Sequence, residues 1–260
     1  TKAIMPVHFA GRPCEMATIL EIARSHGLRV IEDCAHAIEA EYHDMATGTI
    51  GDIGCFSFYV TKNIVTGEGG MVITDDKDVA DKIKILALHG MSKDAWMRFS
   101  DQGYKHYQVV YCGYKYNMTD MQAAIGIHQL PRVDRYWNRR SQLWARYDRE
   151  LAGLPAVLPF KAEADTRHAY HLYTLLLDVE NLRLTRDQFL DEMTKRDIGV
   201  GVHYISLNLH PFYQEYCGCR PGEFPNAEWI SERTVTIPLS ARLTDDDASR
   251  VIEAVRDILS

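Results

Sequence analysis

A lysine in a glycine-rich turn is the residue of this sequence with the clearest chemical potential. Lys62 follows the apolar stretch 55–60 and precedes Gly67, Gly69 and Gly70. Aromatic and β-branched residues alternate along that stretch, which predicts a strand that delivers Lys62 into the turn. Partial burial there lowers the pKa of an ammonium group, so that a neutral amine becomes available to attack carbonyl carbons. The competing interpretation is an ordinary solvated loop lysine.

An acidic pair upstream supplies a complementary group. Glu32 and Asp33 end the apolar run 28–31, and open α/β sheets bind their ligands at the carboxyl ends of strands. A lysine amine suits an aldehyde, and a carboxylate suits a protonated ring nitrogen; pyridoxal phosphate (PLP) requires both. Ser57, on the strand that leads to Lys62, offers a hydroxyl for the phosphate. The ordered set predicts a PLP site.

The motifs around these residues resemble those of a known family. The segments are EDCAHA (32–37), GDIGCFSFYVTKNIVTGEGGMVITDD (51–76), LALHGMSKDAW (86–96) and GYKYNMTDMQAAIGIHQL (113–130). Together they resemble the DegT/DnrJ/StrS-type sugar aminotransferases, which use PLP on the aspartate-aminotransferase fold. The resemblance extends over nearly all 260 residues.

The resemblance assigns roles to individual residues. Lys62 matches the Schiff-base lysine, Asp33 the partner of the pyridine nitrogen, and Ser57 the phosphate-binding serine. Asn117 matches an asparagine that reaches the cofactor phosphate of the neighbouring subunit, which implies a homodimer with shared sites. His36 occupies the position near the ring where many members have Gln or Glu.

The implied activity is amino transfer from glutamate to a keto sugar carried on a nucleotide, with a 4-keto-6-deoxy hexose as the expected sugar. Such enzymes serve the biosynthesis of amino sugars, of surface polysaccharides and of antibiotic sugars. His203 and Tyr204 resemble the segment at the mouth of the site and are assigned to substrate contact. Three alternatives stay open: a PLP-dependent sugar dehydratase, a racemase, or a truncated, non-catalytic relative. The dehydratase branch of the family replaces the lysine by histidine, which Lys62 argues against.

The expected fold class is α/β, the PLP-transferase fold type I. A large domain with a mostly parallel, covered sheet is expected over residues 1–135, and a linking helix with a small α+β domain over 136–260. The chain enters a strand at once, and the N-terminal segment of the family is expected to be absent here.

Composition excludes several other classes. The formal charge of −7 without a basic block argues against nucleic acid, and no apolar run is long enough for a membrane helix. Six scattered cysteines indicate reduced thiols in the cytoplasm. No metal is expected: Cys217 and Cys219 have no second pair, and His168 and His171 would point to opposite faces of a strand.

Periodicity predicts the elements that must position the site. Strands are expected at 3–9, 28–31, 55–60, with Phe56, Phe58 and Val60 on one face, and at 70–74. A first helix is expected at 16–26, with Gly27 as its cap. A second is expected after Asp76 and should bury Val79, Ile83 and Leu86. A third is expected after Thr119, with Met121, Ala124, Ile125 and His128 facing inward. Residues 89–116 are expected to form a long loop near the active site, or else a surface excursion.

Pro131 is expected to start a longer helix that buries Val133, Trp137, Trp144, Tyr147 and Leu151. The other face carries Arg132, Arg135, Arg139, Arg146 and Arg149, which either attract a nucleotide diphosphate or form a solvated surface. Beyond it, strands are expected at 168–179, 198–204 and 234–239, and capped helices from Thr185 and Thr244.

Overall fold

The computed structural model of the chain describes residues 1–92, 107–161 and 163–260. The chain divides into two units. Thr1–Val133 and Ala164–Ala169 form the first unit, and Asp134–Glu163 and Tyr170–Ser260 form the second. The predicted division at residue 135 into a cofactor-binding domain and a C-terminal domain stays a prediction.

Both units contain helices and strands. The strands are β1 (Ala3–Ile4), β2 (Arg29–Asp33), β3 (Glu41–Tyr42), β4 (Met45–Ala46), β5 (Ile53–Ser57), β6 (Gly70–Ile73), β7 (Ala156–Val157), β8 (Thr166–Arg167), β9 (Tyr173–Leu177) and β10 (Thr234–Ile237). The helices are α1 (Met16–His26), α2 (Lys77–Ala87), α3 (Asp120–Gln129), α4 (Val133–Glu150), α5 (Arg186–Thr194), α6 (Pro211–Cys217), α7 (Pro225–Arg233) and α8 (Asp245–Leu259). Short 3-10 turns lie at Phe9–Gly11, Leu130–Arg132 and Leu207–Leu209.

The sheet that positions the site has the strand order β1-β2-β5-β6. β2 is parallel to both β1 and β5, and β6 is antiparallel to β5. The register places Asp33 beside Cys55 and Ser57 beside Gly70. The carboxyl ends of β2 and β5 therefore meet at one edge of the sheet, and the predicted α/β fold with parallel strands is confirmed.

The βαβ unit at the start of the chain is confirmed. α1 covers the predicted residues and ends at Gly27, whose φ of 62° is left-handed and whose amide caps the helix. Parallel pairing of β1 with β2 follows from the helical crossover between them. Met16 and Ala23 of α1 pack with Val30 of β2 in a small buried cluster.

The strand predicted over residues 3–9 is wrong in its length, because β1 ends at Ile4. Pro6 has no amide hydrogen for a ladder, although its carbonyl accepts from the Asp33 amide at 2.9 Å. Val7 makes a single parallel bridge to Asp33, and Ala10 turns the chain with a φ of 57°. An irregular segment therefore runs past the end of β2.

The strand predicted over residues 55–60 starts and ends earlier, at Ile53 and Ser57. Phe58 is buried, but Val60 is 60% exposed. The prediction that Phe56, Phe58 and Val60 share one strand face is wrong beyond Ser57, because the chain leaves the sheet there. In α2, the side chains predicted to be buried (Val79, Ile83 and Leu86) are only half-buried.

All three predicted capping boxes are confirmed: Thr119 with Gln122, Thr185 with Gln188, and Thr244 with Asp247. The predicted inward face of α3 is wrong, since Met121 is 78% exposed and Ala124, Ile125 and His128 are exposed too. The opposite side of α3 packs instead. A side chain at Gly126 would lie 3.2 Å from Thr66, so a small residue permits this close approach.

The second unit has one continuous apolar core around the antiparallel sheet β10-β9-β7. Its fully buried members include Tyr147, Leu151, Tyr173, Phe189, Val235 and Val255. The predicted burial of Trp144, Tyr147 and Leu151 is confirmed, while Val133 and Trp137 are half-buried. Two buried hydroxyls are satisfied: Tyr147 donates to the Pro238 carbonyl and Tyr173 to Asp148.

The basic face of α4 takes part in the fold of the second unit. Arg139 pairs with Asp245 at 2.8 Å and donates to the Leu243 carbonyl. Arg146 pairs with Glu150 and donates to Ser249, both at 2.8 Å. These two arginines thus fix the start of α8.

Two strands predicted for the second half are wrong in extent. β9 begins only at Tyr173, so His168 and His171 precede it and strand alternation does not orient their rings. Both are buried, and Tyr170 between them has a φ of 50°. Residues 198–204 form a single bridge, from Gly201 to Thr236, and no longer strand.

Candidate active site

Lys62 lies in the loop that joins β5 to β6, at the carboxyl edge of the parallel strands. Two backbone bonds close the base of this loop: the Phe58 amide donates to the Gly69 carbonyl at 2.8 Å, and the Thr66 amide donates to the Phe58 carbonyl at 2.9 Å. Inside the loop the Lys62 amide donates to the Tyr59 carbonyl at 2.9 Å. The lysine is half-buried, and burial lowers the pKa of its amine.

Asp33 ends β2 at the same sheet edge. Its backbone is fixed on one side by the irregular segment, because its amide donates to the Pro6 carbonyl and its carbonyl accepts from the His8 amide. Its carboxylate oxygen Oδ1 accepts from the Ala35 amide at 3.0 Å. A short side chain held this way is suited to present its carboxylate at a constant position.

The charge of Asp33 acts on the amine of Lys62. Burial lowers the pKa of the Lys62 amine, and the negative charge of Asp33 opposes that change by raising it. The net pKa is below the ordinary value for lysine. An amine whose pKa is lowered by burial and acted on by a nearby carboxylate charge, at a ligand-binding position of the sheet, is typical of functional sites.

Ser57 and His36 lie on the elements that carry this pair. Ser57 is the last residue of β5, and its hydroxyl oxygen accepts from the Tyr59 amide at 3.3 Å. His36 follows Asp33 in the turn after β2 and is 9% exposed. Its Nδ1 accepts from the Ala10 amide at 3.3 Å, so the irregular segment also fixes the imidazole.

Asn117 lies in the first unit, in the turn that precedes α3. Its side-chain oxygen accepts from the Lys115 ammonium. Residues 107–116 form no helix or strand and make isolated bridges, Met91 to Val109 and Leu88 to Lys115. The remainder of the loop predicted at 89–116, residues 93–106, lies outside the described residues.

His203 and Tyr204 belong to the second unit. The His203 Nδ1 lies 2.7 Å from the Thr236 hydroxyl, on β10. Tyr204 is 55% exposed. Their contact with substrate stays a prediction.

Sequence reasoning missed the role of Glu32, the residue before Asp33. Glu32 is fully buried, and its carboxylate accepts four hydrogen bonds: from His8 Nε2 at 3.0 Å, and from the amides of Gly48, Ile50 and Gly51 at 2.8, 2.8 and 2.6 Å. Burial acts to raise its pKa, but these bonds outweigh burial and hold the pKa below its ordinary value. An acidic residue at an alternate strand position, facing inward, is the signal that could have shown this role.

Within the described residues, His8, Glu32 and Cys34 lie close enough together to hold a metal ion. Their lone pairs are already used. His8 accepts a hydrogen bond from the Cys14 amide through Nδ1, and its Nε2 faces Glu32. Each carboxylate oxygen of Glu32 already accepts two hydrogen bonds. Burial raises the pKa of the Cys34 thiol, which keeps it protonated. The three side chains form a hydrogen-bonded cluster that fixes the end of β2.

The family model for the DegT/DnrJ/EryC1/StrS aminotransferase family matches residues 1–256. The chain belongs to this aminotransferase family. The resemblance inferred from the motifs is thereby confirmed. The chemistry of this family is amino transfer.

Proteins similar to this chain come from several bacteria. The spore coat polysaccharide biosynthesis protein SpsC of Bacillus subtilis is 46% identical over 260 residues, all of this chain and 67% of SpsC. PseC of Helicobacter pylori, an aminotransferase involved in the biosynthesis of pseudoaminic acid, is 25% identical with a TM-score of 0.89, over 100% of this chain and 67% of PseC. The chain spans about two thirds of the length of these relatives.

A third relative in the aminotransferase family has been solved with different cofactor states. The putative sugar aminotransferase of Streptococcus pneumoniae in its PLP form is 27% identical with a TM-score of 0.88, over 100% of this chain and 70% of that one. Its PMP form is 28% identical with a TM-score of 0.88, over 99% and 68%. The predicted fold class, that of PLP-dependent transferases, is confirmed.

Among the described helices of this family member, none combines the length and apolar character that a membrane span requires. The predicted cytoplasmic location stays a prediction.

Proposed function

We propose that this chain carries the PLP site of an aminotransferase that moves an amino group from glutamate to a nucleotide-linked keto sugar, a 4-keto-6-deoxy hexose. One arrangement carries the proposal: Asp33 ends one of two parallel strands, the loop of the half-buried Lys62 follows the other, and burial lowers the pKa of the lysine amine. SpsC, a relative named for polysaccharide biosynthesis, supports the sugar as substrate class.

The donor atoms at the edge of the sheet fit PLP by their chemistry. Lys62 offers a primary amine for the aldehyde, Asp33 an anion for the protonated ring nitrogen, and Ser57 a hydroxyl for the phosphate. His36 offers a buried imidazole within the same turn as Asp33. When bound, PLP supplies an aldehyde that carries the amino group and a ring that accepts an electron pair.

Lys62 performs two tasks in this proposal. Its lowered pKa raises the neutral fraction of the amine, the form that would hold the PLP aldehyde by condensation with loss of water. Once free, the Nζ atom would take the proton from the Cα of the amino substrate as a general base and deliver it to the cofactor carbon as a general acid. Asp33 holds the ring nitrogen protonated throughout both half-reactions, and we expect ping-pong kinetics.

Asn117 acts across a homodimer interface in this proposal and reaches the phosphate in the partner's site. Exposed apolar side chains beside it support a partner surface. On α3, Met121 is 78%, Ile125 47% and Ile127 66% exposed. His203 and Tyr204 contact the sugar nucleotide.

Absorbance tests the proposal. The purified chain with added PLP should show a visible band that borohydride fixes to the peptide containing Lys62, which mass spectrometry identifies. Lys62→Ala should lose the band, while Lys77→Ala, which alters an exposed lysine paired with Asp81, should keep it. Failure of the unchanged chain to attach PLP at Lys62 would contradict the proposal.

Product analysis then tests the reaction. Labelled glutamate and a 4-keto sugar nucleotide should yield a sugar that contains the labelled nitrogen. A dehydrated product without nitrogen would favour the dehydratase instead, and cofactor attachment without any product would favour a non-catalytic relative.

A further inference from the structure

Asn63, the residue after Lys62, anchors the lysine loop from its inner side. Its Nδ2 donates to Oε2 of Glu39 at 2.7 Å and to the Ala169 carbonyl at 3.2 Å. One amide group thus joins three segments of the first unit: the lysine loop, the stretch that follows β2, and residues 164–169. The roles proposed above for PLP and substrate use neither Asn63 nor Glu39.

Glu39 is a fixed acceptor, since it is 6% exposed and lies in a segment that is itself tied down. The Thr47 hydroxyl donates to the carbonyls of Ala37 and Ala40 at 2.6 and 3.3 Å. These two alanines pack with Ala169 in a fully buried cluster. The anchor of Asn63 therefore cannot move without disturbing packed backbone.

The same segment begins at Asp33, the residue whose charge acts on Lys62. A loop anchored to this segment keeps a constant relation to the Asp33 carboxylate. The bond from Asn63 is charge-assisted, about twice as strong as a neutral hydrogen bond. By contrast, the two backbone bonds at Phe58 close the base of the loop, and the bond from the Lys62 amide to the Tyr59 carbonyl joins only residues within the loop.

We propose that Asn63, held by Glu39, is a positioning residue that keeps the Lys62 amine facing Asp33. Without this anchor, the loop turns Lys62 toward solvent. The inference rests on the proposed function for the importance of Lys62, but its test reads the amine directly and needs neither PLP nor turnover.

The test follows the pH dependence of Lys62 acetylation by acetic anhydride in the full 260-residue chain. Hydroxylamine first removes any bound aldehyde, and peptide mass spectrometry reports the modified fraction at Lys62. The pH midpoint reports the pKa of the amine independently of how accessible the amine is. Release into solvent removes the burial that lowers this pKa, so Asn63→Ala and Glu39→Ala should each raise the midpoint.

The sign of the shift in Glu39→Ala separates positioning from charge. Removal of a negative charge alone lowers the pKa of a nearby amine, whereas release of the loop raises it. Glu39→Gln removes the charge but keeps an acceptor oxygen for Asn63, and its midpoint should equal that of the unchanged chain. Rescue by this conservative variant is a result that a purely electrostatic role does not produce.

Asn181→Ala is the matched control, because Asn181 also donates to a carboxylate at 2.7 Å, that of Asp178 in the second unit. Its Lys62 midpoint should not move. Thermal melting is recorded for each variant, and Asn63→Ala decides the question if Glu39→Ala does not fold. Midpoints that stay unchanged or fall in the alanine variants would overturn the proposal. Failure of the proposed function would appear separately, as an unchanged chain that does not attach PLP.

Discussion

The two units of this chain are stabilised in different ways. The second unit has a single apolar cluster that includes Tyr147, Leu175, Val235 and Val255, all 0–1% exposed. The buried apolar clusters described in the first unit are small, and the buried carboxylate of Glu32 holds backbone amides there instead. Apolar packing is non-directional, whereas a hydrogen bond fixes the position of particular atoms. Hydrogen bonds thus fix the backbone around Asp33 in the first unit, whereas apolar packing stabilises the second unit.

Removal of the charge of Asp33 should give the largest change. In the proposed mechanism, Asp33→Asn keeps PLP attached but no longer holds the ring nitrogen protonated, so turnover should fall by about a thousandfold. The pH midpoint of Lys62 should also fall, because the charge that raises its pKa is gone. Steady-state kinetics and the acetylation titration measure the two effects.

Asp52→Asn is the control for this variant within the same unit. The Asp52 carboxylate accepts from the Val30 amide at 2.7 Å and from Arg29, so its loss should affect stability and leave the Lys62 midpoint in place. Full activity in Asp33→Asn would contradict the role given to Asp33.

Loss of the Glu32 carboxylate tests whether polar clamps stabilise the first unit. Glu32→Ala leaves three backbone amides and His8 without their acceptor, and should lower the free energy of unfolding by about 3–5 kcal/mol. Glu32→Gln keeps one acceptor oxygen and should cost less. Urea unfolding measures both, and equal costs in the two variants would show that the acceptor bonds are not the stabilising contribution.

Local sequence signals predicted several elements and their capping residues. The capping boxes at Thr119, Thr185 and Thr244 depend on residues three positions apart, and all three are confirmed. The placement of Lys62 and Asp33 depends on the parallel pairing of β2 with β5, whereas the predicted βαβ unit specifies only the pairing of β1 with β2.

Features set by distant parts of the chain could not be predicted in this way. The packed face of α3 depends on how closely Thr66 approaches Gly126, which periodicity within the helix does not contain. Glu32 acquires its role only when the loop 48–51 folds over it, and Asn63 acquires its anchor from residues 24 and 106 positions away. Spacing along the sequence carries no information on such contacts.

A cavity in the second unit should lower stability and leave the lysine chemistry unchanged. Leu175 lies in the middle of β9 and is 1% exposed. Leu175→Ala should therefore lower the free energy of unfolding by about 3 kcal/mol. The Lys62 midpoint should equal that of the unchanged chain under native conditions. A shifted midpoint in this variant would show that stability and the position of Lys62 are coupled, and the contrast between the units would fail.

The smallest predicted effect concerns acid, to which the two units should respond differently. Burial, with the nearby charge of Arg12, lowers the pKa of His168 in the first unit from 6.5 to about 3. Burial raises the pKa of Tyr147 in the second unit from 10 to about 12. This phenol is neutral in the folded and the unfolded chain at pH 7 and below, so it adds no acid response.

Because His168 is neutral when folded and gains a proton when unfolded, its contribution is complete above pH 6.5 and is lost as pH falls toward about 3. As the pH falls from about 7.5 to about 5, this one residue should lower the free energy of unfolding by about 2 kcal/mol. Urea unfolding at both pH values measures the change. His168→Gln should reduce the difference between the two pH values by that amount. His26→Gln, which changes an exposed histidine at the end of α1, should leave the difference intact. An equal acid response in His168→Gln and the unchanged chain would place the acid sensitivity elsewhere in the molecule.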